Sequence, residues 1–423
     1  MMPNQYRFKR VQKFLLLAIF ALLVLGMVIF HKQLNYALFG FKLPTPTGTF
    51  EVGRITLDAK DPIRPEIFTD DTTDHREIRI DVYYPATHTL TTTPGIYLHS
   101  DIVEGITGLP PIAVQPIIPN WRDHASPAPA NAPYPVLLFS PGFDASPSLY
   151  TSLLEELTSR GHIIVALWHP YTTSRIRYTD GRIIESRYEA NSAFFEGTEE
   201  ERNTTKQRIA TEWAKDMITA LNEIEIQNKV DGPLKGYFDL NRIGAFGHSF
   251  GGQNAAAAMT LEPRIRAGLN MDGTTTYQPA IDNGVQGPFA FVYDTFGPPY
   301  DYLEQIGTSV EEWWKNWMIR NCPIAIRENA QKTYIFQIDQ LAHEGFATDI
   351  TLLQSVFPFV ITPDMVGTIN GNELLPLLAD LIHGFFSHHL SDNPAPILEN
   401  PEAHHPALHR GIRNHPDPQI AFQ

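Results

Sequence analysis

The sequence predicts an α/β fold with a mostly parallel, doubly wound sheet and helices on both of its faces. Apolar stretches of strand length alternate along the chain with longer stretches of helical periodicity, which is the pattern typical of such folds. A glycine-rich turn at 247–252 and a histidine just past a later strand mark the edge of the sheet where functional groups collect. The chain has 423 residues, of which 43% are apolar and 19% charged, which is ordinary for a globular protein and consistent with one large, elaborated α/β domain.

The predicted elements follow in chain order. An apolar strand at 135–140 leads into a helix that Ser146 caps, with Pro147 in its first turn and Gly161 at its end. A buried strand follows up to residue 168, and residues 175–202 are polar and irregular, which indicates an excursion over one edge of the sheet. The next long helix has one apolar face, formed by Ile209, Trp213, Met217, Leu221 and Ile224. Further strands are predicted at 242–246, 267–273, 288–294 and 332–338.

The turn Gly247-His248-Ser249-Phe250-Gly251 fits the Gly-x-Ser-x-Gly pattern of a nucleophile elbow. In that motif a serine sits on a sharp turn between a strand and a helix, and a histidine base can reach its exposed hydroxyl. Ordinary glycine-rich turns also match so short a pattern by chance. The flanks favour the elbow, because a short buried strand precedes it and an alanine-rich helix start at 253–259 follows it. We therefore expect Ser249 to be a nucleophile.

A nucleophilic serine needs a histidine base and a carboxylate that orients the base, and in this fold the acid precedes the histidine in the chain. His343 lies just past the strand 332–338, whereas the later histidines fall in a helical stretch and a proline-rich tail. His343 is therefore the predicted base. Two acids stay open, because Asp272 and Asp294 each end one of two consecutive predicted strands.

The loop after the strand 135–140 is the candidate oxyanion hole. The backbone N–H of Phe143 in this loop can point, together with that of Phe250, at the oxygen that becomes negative during acyl transfer. Donors of this kind contribute about 3 kcal/mol each to transition-state stabilisation.

At these positions the chain resembles the platelet-activating-factor acetylhydrolase family of α/β-hydrolase lipases, in its plasma and type II form and its bacterial relatives. The resemblance lies in the segment 43–53, the stretch 76–86 ending in Tyr-Pro-Ala, the loop 139–143 and the elbow segment 239–252. The similarity covers roughly residues 43–392 and implies an α/β-hydrolase catalytic domain there, with Ser249 as nucleophile and His343 as base. It also implies Asp272 as the acid, which follows Ser249 by 23 residues (272 − 249) in the setting Met-Asp-Gly. The family usually has histidine where this chain has Pro141, so any contact from that side chain is lost while the backbone donor remains.

Residues 14–30 form an uncharged run rich in Leu, Ile, Val and Phe. At about 1.5 Å per residue, this run and a neighbour or two can just span a hydrocarbon core of ~30 Å. Basic residues precede it at 7, 9, 10 and 13, so the positive-inside rule places residues 1–13 in the cytoplasm and the domain outside, in a periplasmic or extracellular location. We expect a transmembrane signal anchor. A cleaved signal peptide, which would make the protein secreted, is the alternative, but we find no A-x-A-like site after residue 30.

The net charge of −15 argues against a nucleic-acid partner. Cys322 is the single cysteine, so an intrachain disulfide and a cysteine-rich metal site are excluded. We predict no cofactor, no metal and no obligate protein partner. The aromatic cluster of Trp313, Trp314 and Trp317 indicates either a cap helix or a surface that contacts lipid. Residues 393–423, rich in proline and histidine, are predicted to form a poorly ordered tail.

Three functions stay open. The resemblance implies a serine esterase for a phospholipid with a short or oxidised acyl chain, of the 1-alkyl-2-acetylglycerophosphocholine esterase type. The same chemistry could serve a dienelactone-hydrolase-like enzyme, a polyesterase or a general carboxylesterase. A membrane-tethered binding protein on an inactive hydrolase scaffold is the remote alternative, which the Ser-acid-His order of the chain disfavours.

Overall fold

The computed structural model describes residues 30–87, 93–99, 116–295, 307, 309 and 333–411. The strands of these residues are, in chain order, β1 Phe41–Lys42, β2 Glu51–Pro65, β3 His75–Ala86, β4 Ile117–Ile118, β5 Arg122–Asp123, β6 Tyr134–Ser140, β7 Ile163–Trp168, β8 Arg175–Arg177, β9 Ile183–Glu185, β10 Phe238–His248, β11 Ile265–Met271, β12 Phe289–Tyr293, β13 Thr333–Ile338 and β14 Leu408–Arg410. The α-helices are α1 His31–Phe39, α2 Thr151–Ser159, α3 Tyr188–Phe195, α4 Glu199–Lys229, α5 Phe250–Leu261, α6 Gln278–Asn283, α7 Thr348–Gln354, α8 Pro363–Val366, α9 Gly371–Ser391, α10 Pro396–Glu399 and α11 Pro401–His404.

A mixed sheet of ten strands, in the order β14-β13-β12-β11-β10-β6-β7-β3-β2-β5, forms the centre of the described domain. Strands β7, β6 and β10 to β13 are parallel neighbours, while β3 pairs antiparallel with both β7 and β2, and β14 pairs antiparallel with β13. Every residue of β6 and β7 is buried, because helices cover both faces, and these strands therefore read as continuous apolar runs. The predicted mostly parallel α/β sheet is confirmed.

Two hydrophobic clusters cover the two faces of the sheet. The first contains the buried faces of α4 and α5, and the second contains those of α2 and α9. The five apolar residues predicted for the long helix all lie on the buried face of α4. A capping box fixes the start of this helix, since Thr198 accepts from the N–H of Glu201 and Glu201 returns the bond.

Two stretches differ from the sequence prediction. The stretch 175–202 is not irregular: it holds the hairpin β8–β9, the helix α3 and the start of α4. The predicted tail is also partly ordered, because β14 pairs antiparallel with β13. His409 is buried there and contacts Asp339 at 2.8 Å. Prolines of this segment occupy the first turns of the short helices α10 and α11, a position that proline favours. They therefore do not mark disorder here.

Several predictions fall on other parts of the chain. The apolar run 14–30 except its last residue, the tryptophan cluster at 313–317, Cys322 and residues 412–423 lie outside the described residues. Among the residues that are described, no helix combines the length and the apolar character needed to cross a bilayer.

Candidate active site

Ser249 lies at the turn between β10 and α5, with φ 54° and ψ −122°. A positive φ is uncommon for a residue with a side chain and marks a strained turn. The turn crosses the end of β6 so closely that a Cβ at Gly251 would lie 2.1 Å from the carbonyl oxygen of Ser140, and one at Gly247 2.4 Å from it. Both glycines of the elbow are therefore required by the close approach of two backbones.

His343 begins a short 3₁₀ turn that follows β13 after four residues (343 − 338 − 1). Its Nε2 lies 2.9 Å from Oγ of Ser249, and its Nδ1 lies 2.5 Å from Oδ2 of Asp272. The structure thus brings the three sequence-predicted residues into one hydrogen-bonded line. When the imidazole is neutral, Nδ1–H donates to the carboxylate, which leaves Nε2 as the acceptor for the serine O–H.

Asp272 and Asp294 both lie at the carboxyl edge of the sheet, after β11 and β12, as the sequence predicts. The carboxylate that bonds His343 is that of Asp272, whose backbone has a positive φ of 57° and whose N–H donates to the carbonyl of Val292 at 2.8 Å. Asp294 is buried, and its backbone N–H makes a long bond of 3.4 Å to the other oxygen of Asp272. The two acids therefore occupy different places around the imidazole.

The surroundings of His343 raise its pKa. Burial of part of the ring acts to lower the pKa, but the hydrogen bond and the charge of Asp272, with smaller contributions from Glu344 and Asp294, raise it to about 9. Water reaches the 42% of the side chain that is exposed and screens part of these charges. Because the pKa of His343 is raised, the imidazolium that forms during acyl transfer is stabilised.

The two candidate oxyanion donors belong to adjacent segments beside Ser249. Phe250 is the first residue of α5, so its N–H has no acceptor within that helix, and the helix N-terminus favours negative charge. The loop with Phe143 is held from two sides, since Gly142 N–H donates to the Tyr150 hydroxyl at 3.3 Å and Asp144 N–H donates to Thr172 O at 3.1 Å. A Cβ at Gly142 would lie 3.5 Å from Cβ of Ser249, so the loop approaches the serine closely.

His248 is a further residue at the site that the sequence analysis did not single out. Its Nδ1 lies 2.7 Å from the Tyr150 hydroxyl, within hydrogen-bond distance, and its ring centroid lies 4.7 Å from that of His343. Burial lowers the pKa of His248 strongly, and the charge of His343 lowers it further, so its ring stays neutral. A histidine directly before the nucleophile, at the buried end of a strand, is the signal that could have drawn attention to it.

Aromatic side chains form a wall beside the oxyanion segments. The ring of Phe194, from α3, stacks on that of Phe143 with centroids 3.8 Å apart and lies 5.0 Å from the ring of Phe250. The ring of Phe195 contacts that of Phe143 edge-on, and 66% of Phe195 is exposed to solvent. We call Phe143, Phe194 and Phe250 the aromatic wall. Within the described residues, no group of three or more His, Cys, Asp or Glu side chains is placed to hold a metal ion.

The strand order and the serine elbow at the carboxyl edge of the sheet define the class of this protein as an α/β hydrolase. A sequence profile of the family described as platelet-activating factor acetylhydrolase, isoform II, matches residues 40–277, more than half of the chain. The chain belongs to that family. The match includes Ser249 and Asp272 and ends before His343.

Curated relatives are similar over parts of their length. A probable 1-alkyl-2-acetylglycerophosphocholine esterase from Arthroderma benhamiae is 26% identical over 289 residues, which is 65% of this chain and 65% of that protein. The platelet-activating factor acetylhydrolase of Gallus gallus is 28% identical over 38% of this chain and 43% of its own length. The match thus spans less than two thirds of either relative. Among solved structures, a ferulic acid esterase from Streptomyces cinnamoneus has the same fold, with a TM-score of 0.69 at 22% identity, over 88% of this chain and 99% of that one.

Proposed function

We propose that this protein is a serine esterase that hydrolyses a phospholipid with a short or oxidised acyl chain, by a mechanism that uses Ser249, His343 and Asp272. The observation that carries the proposal is the hydrogen-bonded line from Asp272 through His343 to Oγ of Ser249. Such a line at a nucleophile elbow is the arrangement that acyl transfer by serine requires.

In the proposed reaction Oγ of Ser249 attacks the ester carbonyl carbon while Nε2 of His343 takes the hydroxyl proton. The carbonyl oxygen becomes an oxyanion, which the N–H groups of Phe143 and Phe250 stabilise. Collapse of this intermediate breaks the ester bond, and the leaving alcohol takes the proton from His343. A water molecule then attacks the acyl-enzyme with the same base, which releases the carboxylic acid and restores Ser249.

Two features support the phospholipid substrate with a small acyl group. The family is that of platelet-activating factor acetylhydrolases, and the relative from Arthroderma benhamiae is named as an esterase of an acetylated glycerophosphocholine. The aromatic wall fills space on the side of the oxyanion segments, next to which the acyl group of a bound ester must lie. Rings packed this closely leave less space for a long acyl chain than for a short one.

The sequence supports a further proposal for the location of the enzyme. A chain with a basic N-terminus and an uncharged apolar run at 14–30 is expected to be anchored, with the hydrolase on the extracytoplasmic side. In that case the substrate is a lipid or ester that is present outside the cytoplasm.

A substrate panel tests the proposal. Full-length protein is assayed with an acetylated glycerophosphocholine, with a long-chain diacyl phosphatidylcholine and with p-nitrophenyl acetate, each beside the variant Ser249→Ala. We expect a higher kcat/KM for the acetylated phospholipid than for the long-chain lipid. We also expect labelling by a fluorophosphonate probe to require Ser249. Cleavage of p-nitrophenyl acetate alone would indicate a general carboxylesterase, and absence of both labelling and turnover would indicate a binding protein.

A further inference from the structure

A second set of serine, histidine and aspartate side chains lies in the core beneath the candidate oxyanion loop. Oγ of Ser140 is 2.9 Å from Nε2 of His169, and Nδ1 of His169 is 2.9 Å from Oδ2 of Asp216. All three side chains are fully buried, so no substrate can reach this serine. We call Ser140, His169 and Asp216 the inner triad.

The environment of Asp216 fixes the tautomer of the inner triad. Burial would raise the pKa of Asp216, but Arg76 at 2.7 Å and Arg64 at 2.5 Å outweigh burial and hold the pKa well below its ordinary value. The carboxylate is therefore ionised and accepts the Nδ1–H of His169. Nε2 of His169 must then accept the O–H of Ser140, so every bond of the set has one direction.

Ser140 connects the inner triad to both the elbow and the oxyanion loop. It ends β6 directly before Pro141 and Gly142, and its carbonyl oxygen is the atom that the backbones of Gly247 and Gly251 approach so closely. A rotation of Ser140 would thus move the nucleophile turn and the donor of Phe143 together.

His169 makes a second connection through aromatic stacking. Its ring is parallel to that of Trp213, with centroids 3.8 Å apart and an angle of 5°. Trp213 in turn contacts the ring of Phe250 edge-on at 5.0 Å and lies parallel to that of Phe143 at 6.1 Å. The two residues that carry the candidate oxyanion donors therefore both lie against a tryptophan that His169 supports.

The backbone after His169 makes a third connection. The carbonyl of His169 accepts from the hydroxyl of Thr172, and this hydroxyl accepts from the indole N–H of Trp213 at 3.0 Å. The carbonyl of Thr172 accepts the N–H of Asp144, the residue that follows Phe143. Side chain and backbone of one histidine thus restrain the oxyanion loop on separate sides.

From these connections we infer that Ser140, His169 and Asp216 are positioning residues that hold the oxyanion donors of Phe143 and Phe250 in place for the reaction at Ser249. The inference rests on the proposed function, because it assigns the inner triad a role in that acyl transfer. The inner triad itself forms and breaks no covalent bond. Its loss should weaken stabilisation of the oxyanion while substrate binding and the proton chemistry of His343 stay unchanged.

The test compares two serine-to-alanine variants of the full-length protein. Ser140→Ala removes one oxygen from the inner triad. Ser159→Ala is the matched control, since Ser159 is also fully buried, donates to Glu156 O at 2.7 Å and accepts from Gly48 N–H at 3.0 Å, at the far end of α2. For Ser140→Ala we expect kcat on p-nitrophenyl acetate to fall about tenfold or more, with KM within about twofold of the wild type, because a misplaced donor acts on the transition state. Ser159→Ala should keep the wild-type kcat.

Two further readouts separate positioning from mere stability. A trifluoromethyl ketone forms a charged tetrahedral adduct with the serine, so its affinity should fall in Ser140→Ala by about the same factor as kcat. The pH at which activity rises should stay where it is, because His343 and Asp272 are untouched. An unchanged kcat and ketone affinity, or a rise in KM alone, would overturn the inference.

A second variant keeps the test valid if Ser140→Ala folds poorly. Asn at position 169 can still donate to Asp216 but cannot reach Ser140, so His169→Asn should lose at least as much kcat as Ser140→Ala. Where Ser140→Ala does fold, the double variant should lose no more than His169→Asn alone, whereas additive losses would show two independent sites and contradict the inference. Ser249→Ala run beside them distinguishes the failures: if it retains wild-type turnover, the proposed function itself is wrong.

Discussion

Asp272→Asn is the substitution that tests the proposed mechanism most directly. Asparagine preserves the size of the side chain, but its amide can donate to Nδ1 of His343 and favour the tautomer that has its proton on Nε2. That tautomer cannot accept the proton of Ser249, so the limiting kcat should fall by up to ~10⁴-fold.

The same substitution should move the pH dependence. In the wild type the pKa of His343 is raised to about 9, so kcat/KM is low at neutral pH and rises toward alkaline pH as the imidazole loses its proton. Loss of the Asp272 charge leaves burial as the dominant influence, so the apparent pKa should fall to the ordinary value near 6.5 or below it. At pH 7 only about 1% of the wild-type base would be neutral, so the loss measured there should be about 10²-fold, smaller than at the alkaline limit. Water screens the charge of Asp272 at the exposed part of the ring, so the expected fall in the apparent pKa of His343 is an upper bound.

The assay is kcat/KM on p-nitrophenyl acetate from pH 5.5 to 10, corrected for spontaneous hydrolysis. Asp294→Asn is the matched control, because it removes the neighbouring carboxylate, which acts on the pKa of His343 only weakly. For this control we expect a small change in the limiting rate and a slight fall in the apparent pKa. A larger loss for Asp294→Asn than for Asp272→Asn would refute the assignment of the acid.

Three further predictions follow from the site and the sequence. Ser249→Ala should lower turnover by about 10⁴- to 10⁶-fold without lowering the melting temperature, so a folded variant with wild-type turnover would remove Ser249 as nucleophile. Phe194→Ala should raise the ratio of octanoyl to acetyl ester hydrolysis about tenfold and lower the free energy of unfolding by ~3 kcal/mol. Phe195 is exposed, so Phe195→Ala should change neither quantity. An unchanged ratio in Phe194→Ala would show that the aromatic wall does not limit the acyl chain. Protease added to intact cells should digest the hydrolase domain and leave the N-terminal peptide in the membrane, and a mature protein that begins after about residue 30 would contradict the anchor.

The part of the site that depends on local sequence could be predicted. Gly247, Ser249 and Gly251 lie within five residues, and a sharp turn between a strand and a helix imposes its own residue types. His343 could be found for a similar reason, because it follows an apolar strand, and the carboxyl ends of parallel strands meet at one edge. The apolar face of α4 repeats with the helical period and was equally visible.

Contacts between distant segments were not visible in the sequence. Ser140, His169 and Asp216 belong to β6, the turn after β7 and the middle of α4, and only the packing of α4 on the sheet brings them together. No period or motif marks Asp216, which is a charged residue one position before the apolar Met217. The prediction of a poorly ordered tail was wrong for segment 393–411 for a related reason. The order of this segment depends on pairing with β13 and on the contact of His409 with Asp339.

The choice between Asp272 and Asp294 shows why a strand tip alone does not identify an acid. Both residues end adjacent parallel strands, so both lie on the catalytic edge and the sequence pattern treats them alike. The difference arises in the backbone: Asp272 adopts a left-handed conformation, its N–H bonds to β12, and its carboxylate meets the Nδ1 of His343. The backbone N–H of Asp294 donates to the same carboxylate, so Asp294 helps to hold the side chain of Asp272 in place. An acid after β11 and an imidazole that approaches across the end of β12 are therefore compatible, and the later strand end does not need to supply the carboxylate.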